Sequence, residues 1–354
     1  MRIEDIDPNL KIETDINEPD LVWLDAKSAA FSLYGVSYDE EKGCYVRLPV
    51  EIAEAVSTRV AGLNYHTSGG RLRFRTNSSF IGIRVVRNPR IPMGHMALCG
   101  QSGFDLYRKS EKGEIHYKTF VPPHDQTDGY SSPFKTDGVE RDYTLNFPLY
   151  DGVQELYIAL KKDALLKPAA SYANDLPVVF YGSSITQGGC ASRPGTLYQG
   201  HLSRWLNMDY YNLGFSGACR AEDAMADYIN SLKMKAFVYD FDHNSPNYDF
   251  LKEHHLPFFR KIRAAHPDLP ILMVSAPDAK IHGGSWMDRR DLIRNNYELL
   301  KAEGDENLWY VDGSAMFDGD VELECTVDGT HPTDLGFYFM ARAMRPALEE
   351  MLKK

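Results

Sequence analysis

The hydrophobic periodicity of this chain changes once, near residue 165, and that change constrains its fold more than any other feature. Before it the pattern has a period of two. Leu72, Phe74 and Thr76 alternate with Arg71, Arg73 and Arg75, and Ile81, Ile83 and Val85 keep the same period. Apolar runs follow at 143–147 and 156–160, separated by turn pairs such as Asn88-Pro89, Asp137-Gly138 and Asp151-Gly152. Many short strands of this kind predict a β-sandwich, interrupted by one helix over 49–61. Beyond the change, strand and helix alternate. Strands are expected at 178–181, 210–213, 236–239, 271–275 and 308–311, with helices at 248–265, 288–303 and 335–352 among them. Such alternation predicts a parallel sheet covered on both faces by helices. Ligands of these sheets sit at the carboxyl ends of the strands. The expected domains are therefore 1–165 and 166–354, with a link at 161–175 around Lys167-Pro168; a length of 354 residues suits two of them.

Charge excludes some partners. The formal net charge is −11, from 39 basic and 50 acidic side chains. Nucleic acid and anionic membrane both call for a basic footprint, so neither is the expected partner. No stretch reaches the roughly 18 apolar residues of a membrane span, and the opening residues are acidic, without a signal-like apolar run. Five cysteines, Cys44, Cys99, Cys190, Cys219 and Cys325, are widely spaced with no C-x-x-C pair. They read as reduced thiols of a cytoplasmic protein, without disulfides, zinc or another cofactor. Self-association is left open.

The chemistry gathers in the second half. Val178-Val179-Phe180-Tyr181 runs straight into Gly182-Ser183-Ser184-Ile185-Thr186-Gln187-Gly188. An apolar strand entering Gly-x-Ser presents Ser184 at the ligand edge. It is not the Gly-x-Ser-x-Gly elbow, because Thr186 holds the last glycine position. On its own this serine reads equally well as a helix N-cap. A serine nucleophile needs a base. Asp328-Gly329-Thr330-His331-Pro332 puts a carboxylate and an imidazole on one short loop, so Asp328 can orient His331 while its other nitrogen faces Ser184. Alone, the same loop reads as an Asp-Gly turn with a cap. An oxyanion needs donors. Gly214 stands in Asn212-Leu213-Gly214-Phe215-Ser216-Gly217 after the second strand, and Asn244 in Asp240-Phe241-Asp242-His243-Asn244 after the third. Each has an ordinary alternative, a strand–turn glycine and an Asx turn.

Their order along one sheet edge is the stronger signal. In it the chain resembles the SGNH (GDSL-like) hydrolase superfamily, whose four blocks supply Ser, Gly, Asn and His. The resemblance covers about residues 178–332. It implies a flavodoxin-like three-layer α/β domain with a five-stranded parallel sheet. It also implies Ser184, Asp328 and His331 as the triad, and the amides of Ser184 and Gly214 with the Asn244 side chain as oxyanion donors. Two departures stand out: Ser183 where aspartate is usual, and Asp242-His243-Asn244 where Gly-x-Asn-Asp is usual. They fit a mostly bacterial subgroup with an extra N-terminal β-domain, marked by Gly-x-Asp-Leu-Tyr and found here as Gly103-Phe104-Asp105-Leu106-Tyr107. That domain is expected to be a jelly-roll-like sandwich. The subgroup resembles carbohydrate esterases, which implies acetylated xylan or mannan oligosaccharides as substrates.

Other readings use the same residues. Asp240, Asp242 and His243 could hold a metal, but no second cluster has a common ligand spacing. Asp242 or His243 is better read as shaping the pocket or touching substrate, with a bond to the loop after the first strand. Trp286 is a candidate to stack on a sugar and equally a lid or core residue; Arg289 and Arg290 read as solvated or salt-bridged. The first domain reads as a wall or lid of the pocket ahead of a carbohydrate-binding module. The expected activity is thus a carbohydrate O-acetylesterase. The alternatives are a short-chain lipase, thioesterase or acyltransferase on the same triad, and a sugar-binding protein with an inactive hydrolase domain.

Overall fold

The computed structural model describes residues 11–89, 91–317 and 319–354. Residues 21–167 build two antiparallel sheets around one core. One sheet runs Leu21–Asp25, Glu155–Lys161, Phe80–Val86, Gly129–Lys135; the other runs Leu166–Lys167, Arg71–Thr76, Arg141–Asn146, Phe104–Ser110, Gly113–Phe120, with Ser32–Tyr34 also on Arg71–Thr76. Alternate residues meet between the sheets: Leu72, Phe74, Leu106 and Tyr143 from one, Ile81, Ile83, Leu156 and Ile158 from the other. The expected sandwich is present. The expected single helix is two, Val50–Val56 and Thr58–Leu63, because Ser57 leaves the helical region and its side chain caps the second through the Val60 N–H at 3.1 Å.

The second domain carries five parallel strands, Val178–Gly182, Tyr210–Gly214, Ala236–Asp240, Ile271–Val274 and Leu308–Val311, in spatial order second, first, third, fourth, fifth. The order reverses beside the first strand, so a crevice opens at its carboxyl end. The three inner strands are buried on both faces. Val179 and Tyr181 pack with the helices Asp223–Ser231 and Tyr248–Ala265, while Val178 and Phe180 pack with Tyr198–Leu206 and Asp334–Met351. No helix among the described residues is long and apolar enough to cross a membrane.

The two cores are not separate. Leu48, Ala53, Val56 and Val60 belong to the core on one face of the parallel sheet, and Met96, Leu149 and Tyr150 to that on the other. At Arg71 and Arg73 the arginine side of Arg71–Thr76 is covered rather than solvated. Arg71 is 2% exposed and reaches Asp209 at 2.5 Å and the Tyr210 carbonyl at 3.0 Å. Arg73 lies 4.0 Å from the Tyr172 ring centre. Tyr172 stands in the stretch expected to be a bare link, yet it is buried, and Leu166–Lys167 pairs back onto the sandwich.

Candidate active site

The site grows from the end of the first parallel strand. Gly182 is required there, since a Cβ would lie 2.1 Å from Thr186 Oγ1 and 2.4 Å from the Asp240 carbonyl. The chain then turns into the short helix Ser184–Gln187. The N-cap is Ser183, whose hydroxyl accepts from the Ile185 N–H at 3.1 Å. The capping role thus falls to the neighbour, which does the work an aspartate would do. The Ser184 hydroxyl is left for His331, 2.9 Å from Nε2. His331 Nδ1 meets Asp328 Oδ2 at 2.7 Å, and Asp328 Oδ1 accepts the His331 N–H at 2.8 Å and the Thr330 N–H at 3.1 Å. Burial alone would raise the Asp328 carboxyl, but these N–H donors and the imidazole hold it below the usual carboxylate range. Ser184, His331 and Asp328, read apart by 144 residues in the sequence from Ser184 to Asp328, form one hydrogen-bonded chain. Such a chain can pass the serine proton to the imidazole.

On the oxyanion side the structure corrects one expectation. The Gly214 N–H donates to Asn212 Oδ1 at 2.9 Å and is not available to a ligand. Gly214 serves packing: a Cβ there would come 2.2 Å from the Gln187 backbone nitrogen. The next amides are also engaged, Phe215 with the Gly182 carbonyl, Ser216 with Gln187 Oε1, and Ala218 with the Phe215 carbonyl. Gly217, with φ of +66°, holds the N–H in this turn that has no acceptor among the described residues. The sequence shows two glycines in this block and does not show which amide is spent and which is left unpaired. Asn244 is held from the neighbouring turn. Its Oδ1 accepts from the Cys219 N–H at 3.2 Å, which leaves the amide nitrogen to donate outward.

The acidic cluster beneath is also rearranged. Asp242 is fully buried, its Oδ2 accepts from the Ala276 N–H at 2.8 Å, and among the described residues no hydrogen bond joins it to the first-strand loop. His243 Nε2 lies 2.7 Å from Asp278, and its side chain is 4% exposed. Burial works against its charge, but Asp278 and Asp242 outweigh burial and hold the imidazole well above its ordinary range. The residue that reaches the first-strand loop is Asp240, which accepts from Thr186 Oγ1 at 2.9 Å and Tyr198 OH at 3.3 Å. Burial, and next Asp242, push its carboxyl up to about 6. Ligand-type atoms of Asp240, Asp242 and His243 all lie within 4.8 Å of one another, and each residue has a protein partner. Trp286 is partly exposed; its ring centre is 5.2 Å from His282 and 5.3 Å from His243, with the Arg289 guanidinium 4.6 Å away. Arg290 pairs with Asp312 as expected, but Arg289 is buried and donates to the Asp242 and Ser245 carbonyls.

The first domain supplies parts the sequence reading missed. Tyr150 OH donates to the Ser184 carbonyl at 3.1 Å, Ser68 Oγ to that of Gln187 at 2.5 Å, and Gln187 Nε2 reaches His66 at 3.1 Å. The His95 ring stands 6.0 Å from that of His331. Cys190 is buried beside them, and burial, with Asp328 next, pushes its thiol up to about 11, the opposite of a thiolate nucleophile.

Known proteins share both halves. Residues 175–349 match the GDSL-like Lipase/Acylhydrolase family, and residues 21–166 match the N-terminus of Esterase_SGNH_hydro-type. A putative GDSL-like lipase from Bacteroides ovatus is 26% identical with a TM-score of 0.84, over 94% of this chain and 98% of that one. A salicylyl-acyltransferase from a tetracycline biosynthetic pathway is 20% identical with a TM-score of 0.77, over 95% and 98%. An acetyl xylan esterase from the rumen bacterium Butyrivibrio proteoclasticus shares the fold at 12% identity and a TM-score of 0.58, over 94% and 99%. A search of curated proteins finds no match. Residues 175–349 therefore belong to the GDSL-like lipase/acylhydrolase family and residues 21–166 are an N-terminal domain of the GxDLY type, which together make the chain an ester-hydrolysing serine hydrolase.

Proposed function

We propose that this enzyme removes O-acetyl groups from short xylan- or mannan-type oligosaccharides through an acyl-enzyme. The observation that carries the reading is the chain Ser184–His331–Asp328, at 2.9 and 2.7 Å, with the free amide of Asn244 on the same sheet edge. In this reading His331 takes the Ser184 proton as Oγ attacks the acetyl carbonyl. The carbonyl oxygen gains negative charge and accepts from Asn244 Nδ2 and the amides of Ser184 and Gly217. The imidazolium gives its proton to the sugar oxygen as the C–O bond breaks. Water then repeats the sequence and releases acetate. A positioned base is worth roughly 10²–10⁴-fold and a single oxyanion donor roughly 10²–10³-fold. The sugar assignment draws on the fold shared with the acetyl xylan esterase and on the partly exposed Trp286 near the loop of His331. His282, stacked on Trp286, reaches Thr330 of that loop at 3.3 Å. Five free thiols suit a reducing compartment, and we place the reaction in the cytoplasm.

The test is acetate release, followed by mass spectrometry, over a panel of acetylated xylo- and manno-oligosaccharides, with Ser184→Ala as control. Loss of mass by one acetyl at a time, absent in the variant, is expected. Preference for octanoyl over acetyl nitrophenyl esters would sink the sugar reading in favour of a lipase. Acetyl appearing on an added sugar in place of water would point to an acyltransferase, a reading favoured by the fold shared with the salicylyl-acyltransferase.

A further inference from the structure

Beneath the turn that carries Gly217 lies a guanidinium from the other domain. Arg47 is 6% exposed and follows the strand Cys44–Val46 of the first domain. Its Nη1 donates to the carbonyls of Gly214 and, at 3.3 Å, Asn212; its Nη2 donates to the Leu63 carbonyl at 2.7 Å. Its Cζ lies 4.2 Å from the centre of the Phe215 ring. Its segment is pinned in turn, because Asn64 accepts from the Leu48 N–H at 2.8 Å and donates to the Leu48 carbonyl at 2.9 Å. No carboxylate pairs with Arg47 among the described residues, its acceptors being backbone carbonyls, and its Nε has no acceptor among them. Buried guanidinium groups ordinarily stand against an acid. Burial here costs enough to pull this group down to about 9. A chain that only needed to join two domains could do so more cheaply with an apolar side chain or an ion pair.

We propose that Arg47 is a positioning residue of the oxyanion site: it clamps both carbonyls that flank the start of the 214–217 turn, and its uncompensated charge favours the negative oxygen that forms above that turn. The fork geometry suits this, since one planar group spans Asn212 and Gly214 on one side and Leu63 on the other. A donor array misplaced by even an ångström loses much of its effect on the transition state and little of its effect on the neutral substrate. The loss should therefore appear in kcat and not in KM. The inference rests on ester hydrolysis at Ser184 and not on the identity of the sugar.

The experiment uses the full chain, with Arg47→Met and Arg47→Lys, and p-nitrophenyl acetate as substrate. Active sites are counted with a fluorophosphonate, so turnover is expressed per competent serine. Phenylboronic acid, which forms a tetrahedral adduct on the serine, reports affinity for the transition-state shape, and acetate reports affinity for the product. For Arg47→Met, per-site kcat should fall roughly 10–100-fold, KM should stay within about threefold, and boronate affinity should fall in parallel while acetate affinity holds. Arg47→Lys, which keeps the charge but not the fork, should fall between it and the wild type. Per-site kcat and boronate affinity unchanged in Arg47→Met overturn the proposal, even if thermal stability or the titratable fraction drops, because that is the pattern of a purely structural residue. If the methionine variant does not fold, wild-type values in the lysine variant overturn it. A wild-type enzyme that cleaves the nitrophenyl ester but no acetylated sugar removes the substrate reading and leaves this test intact.

Discussion

Two adjacent serines at the end of the first parallel strand divide the work of capping and chemistry. Ser183 caps the short helix, and Ser184 faces His331. Ser183→Ala should lower thermal stability by about 1 kcal/mol, the usual cost of a lost N-cap, with fluorophosphonate labelling retained. Ser184→Ala should abolish labelling and reduce ester turnover by at least about 10⁴-fold. The two glycines of the second block separate in the same way. Gly214→Ala forces a methyl to within 2.2 Å of the Gln187 nitrogen, so it should disturb the nucleophile helix and lower both stability and activity. Asp240 gives a pH signature. Its carboxyl sits at about 6 in the fold against an ordinary 3.8, which corresponds to roughly 3 kcal/mol. For a raised acid this stability is full below about pH 4 and is lost as pH climbs through 6. Asp240→Asn lacks that titration, so thermal melts should show it gaining on the wild type between pH 4.5 and 7. Melting curves that stay parallel over this range would contradict the assignment.

At the scale of elements, the Gly-x-Asp-Leu-Tyr segment acts as a clasp between the two domains. Asp105 is fully buried in the strand Phe104–Ser110. Its Oδ2 accepts from the Gly195 N–H at 2.9 Å and Arg193 Nη1 at 3.1 Å, and its Oδ1 from Asn146 at 2.8 Å. Tyr107 packs on Gly195 so closely that a Cβ there would come 2.4 Å from its ring, and its hydroxyl takes a second bond from Arg193 at 2.5 Å. Leu106 points into the sandwich core, and Gly103 leaves room for the Cys99 carbonyl, 2.5 Å from where a Cβ would sit. Gly103, Asp105, Leu106 and Tyr107 thus each have a packing reason. Asp105→Ala would take the acceptor from three donors, of which the Gly195 N–H and Asn146 are buried, and should cost about 2–4 kcal/mol, read as a drop in the urea midpoint. The residues Gly195 and Arg193 follow the nucleophile helix, so the clasp also sets where Ser184 stands.

For the whole molecule, the first domain is a structural part of the active site rather than a detachable module. Removing residues 1–166 would strip Leu48, Val60, Leu149 and Tyr150 from cores of the second domain. It would also leave the carbonyls of Ser184 and Gln187 without Tyr150 and Ser68. The remaining 167–354 should be poorly soluble and show no titratable serine. A soluble fragment that labels at the wild-type rate would show instead that the nucleophile loop stands without its neighbour.

Local information carried a great deal of this. The period of two up to residue 165 and the alternation after it located the sandwich and all five parallel strands. The sheet edge followed, because a parallel strand places its last residues where ligands bind. Ser184, Asn244, Asp328 and His331 are legible as candidates because Ser184 stands just after a strand and the others just before a helix, and the fold joins Ser184, His331 and Asp328 in one hydrogen-bonded chain. Tertiary structure decided the rest. Which amide in 214–217 is free depends on Asn212, Gln187 and Gly182 folding onto that turn. That Asp240, and not Asp242, reaches Thr186 depends on strand register. The burial of Arg47, Arg71 and Arg73 depends on a second domain covering them, and no period in their own strands records what lies on the far side. Hydrophobic patterning specifies which face of an element is buried; only the packed molecule specifies which polar group meets which, and in this enzyme the chemistry rests on those meetings.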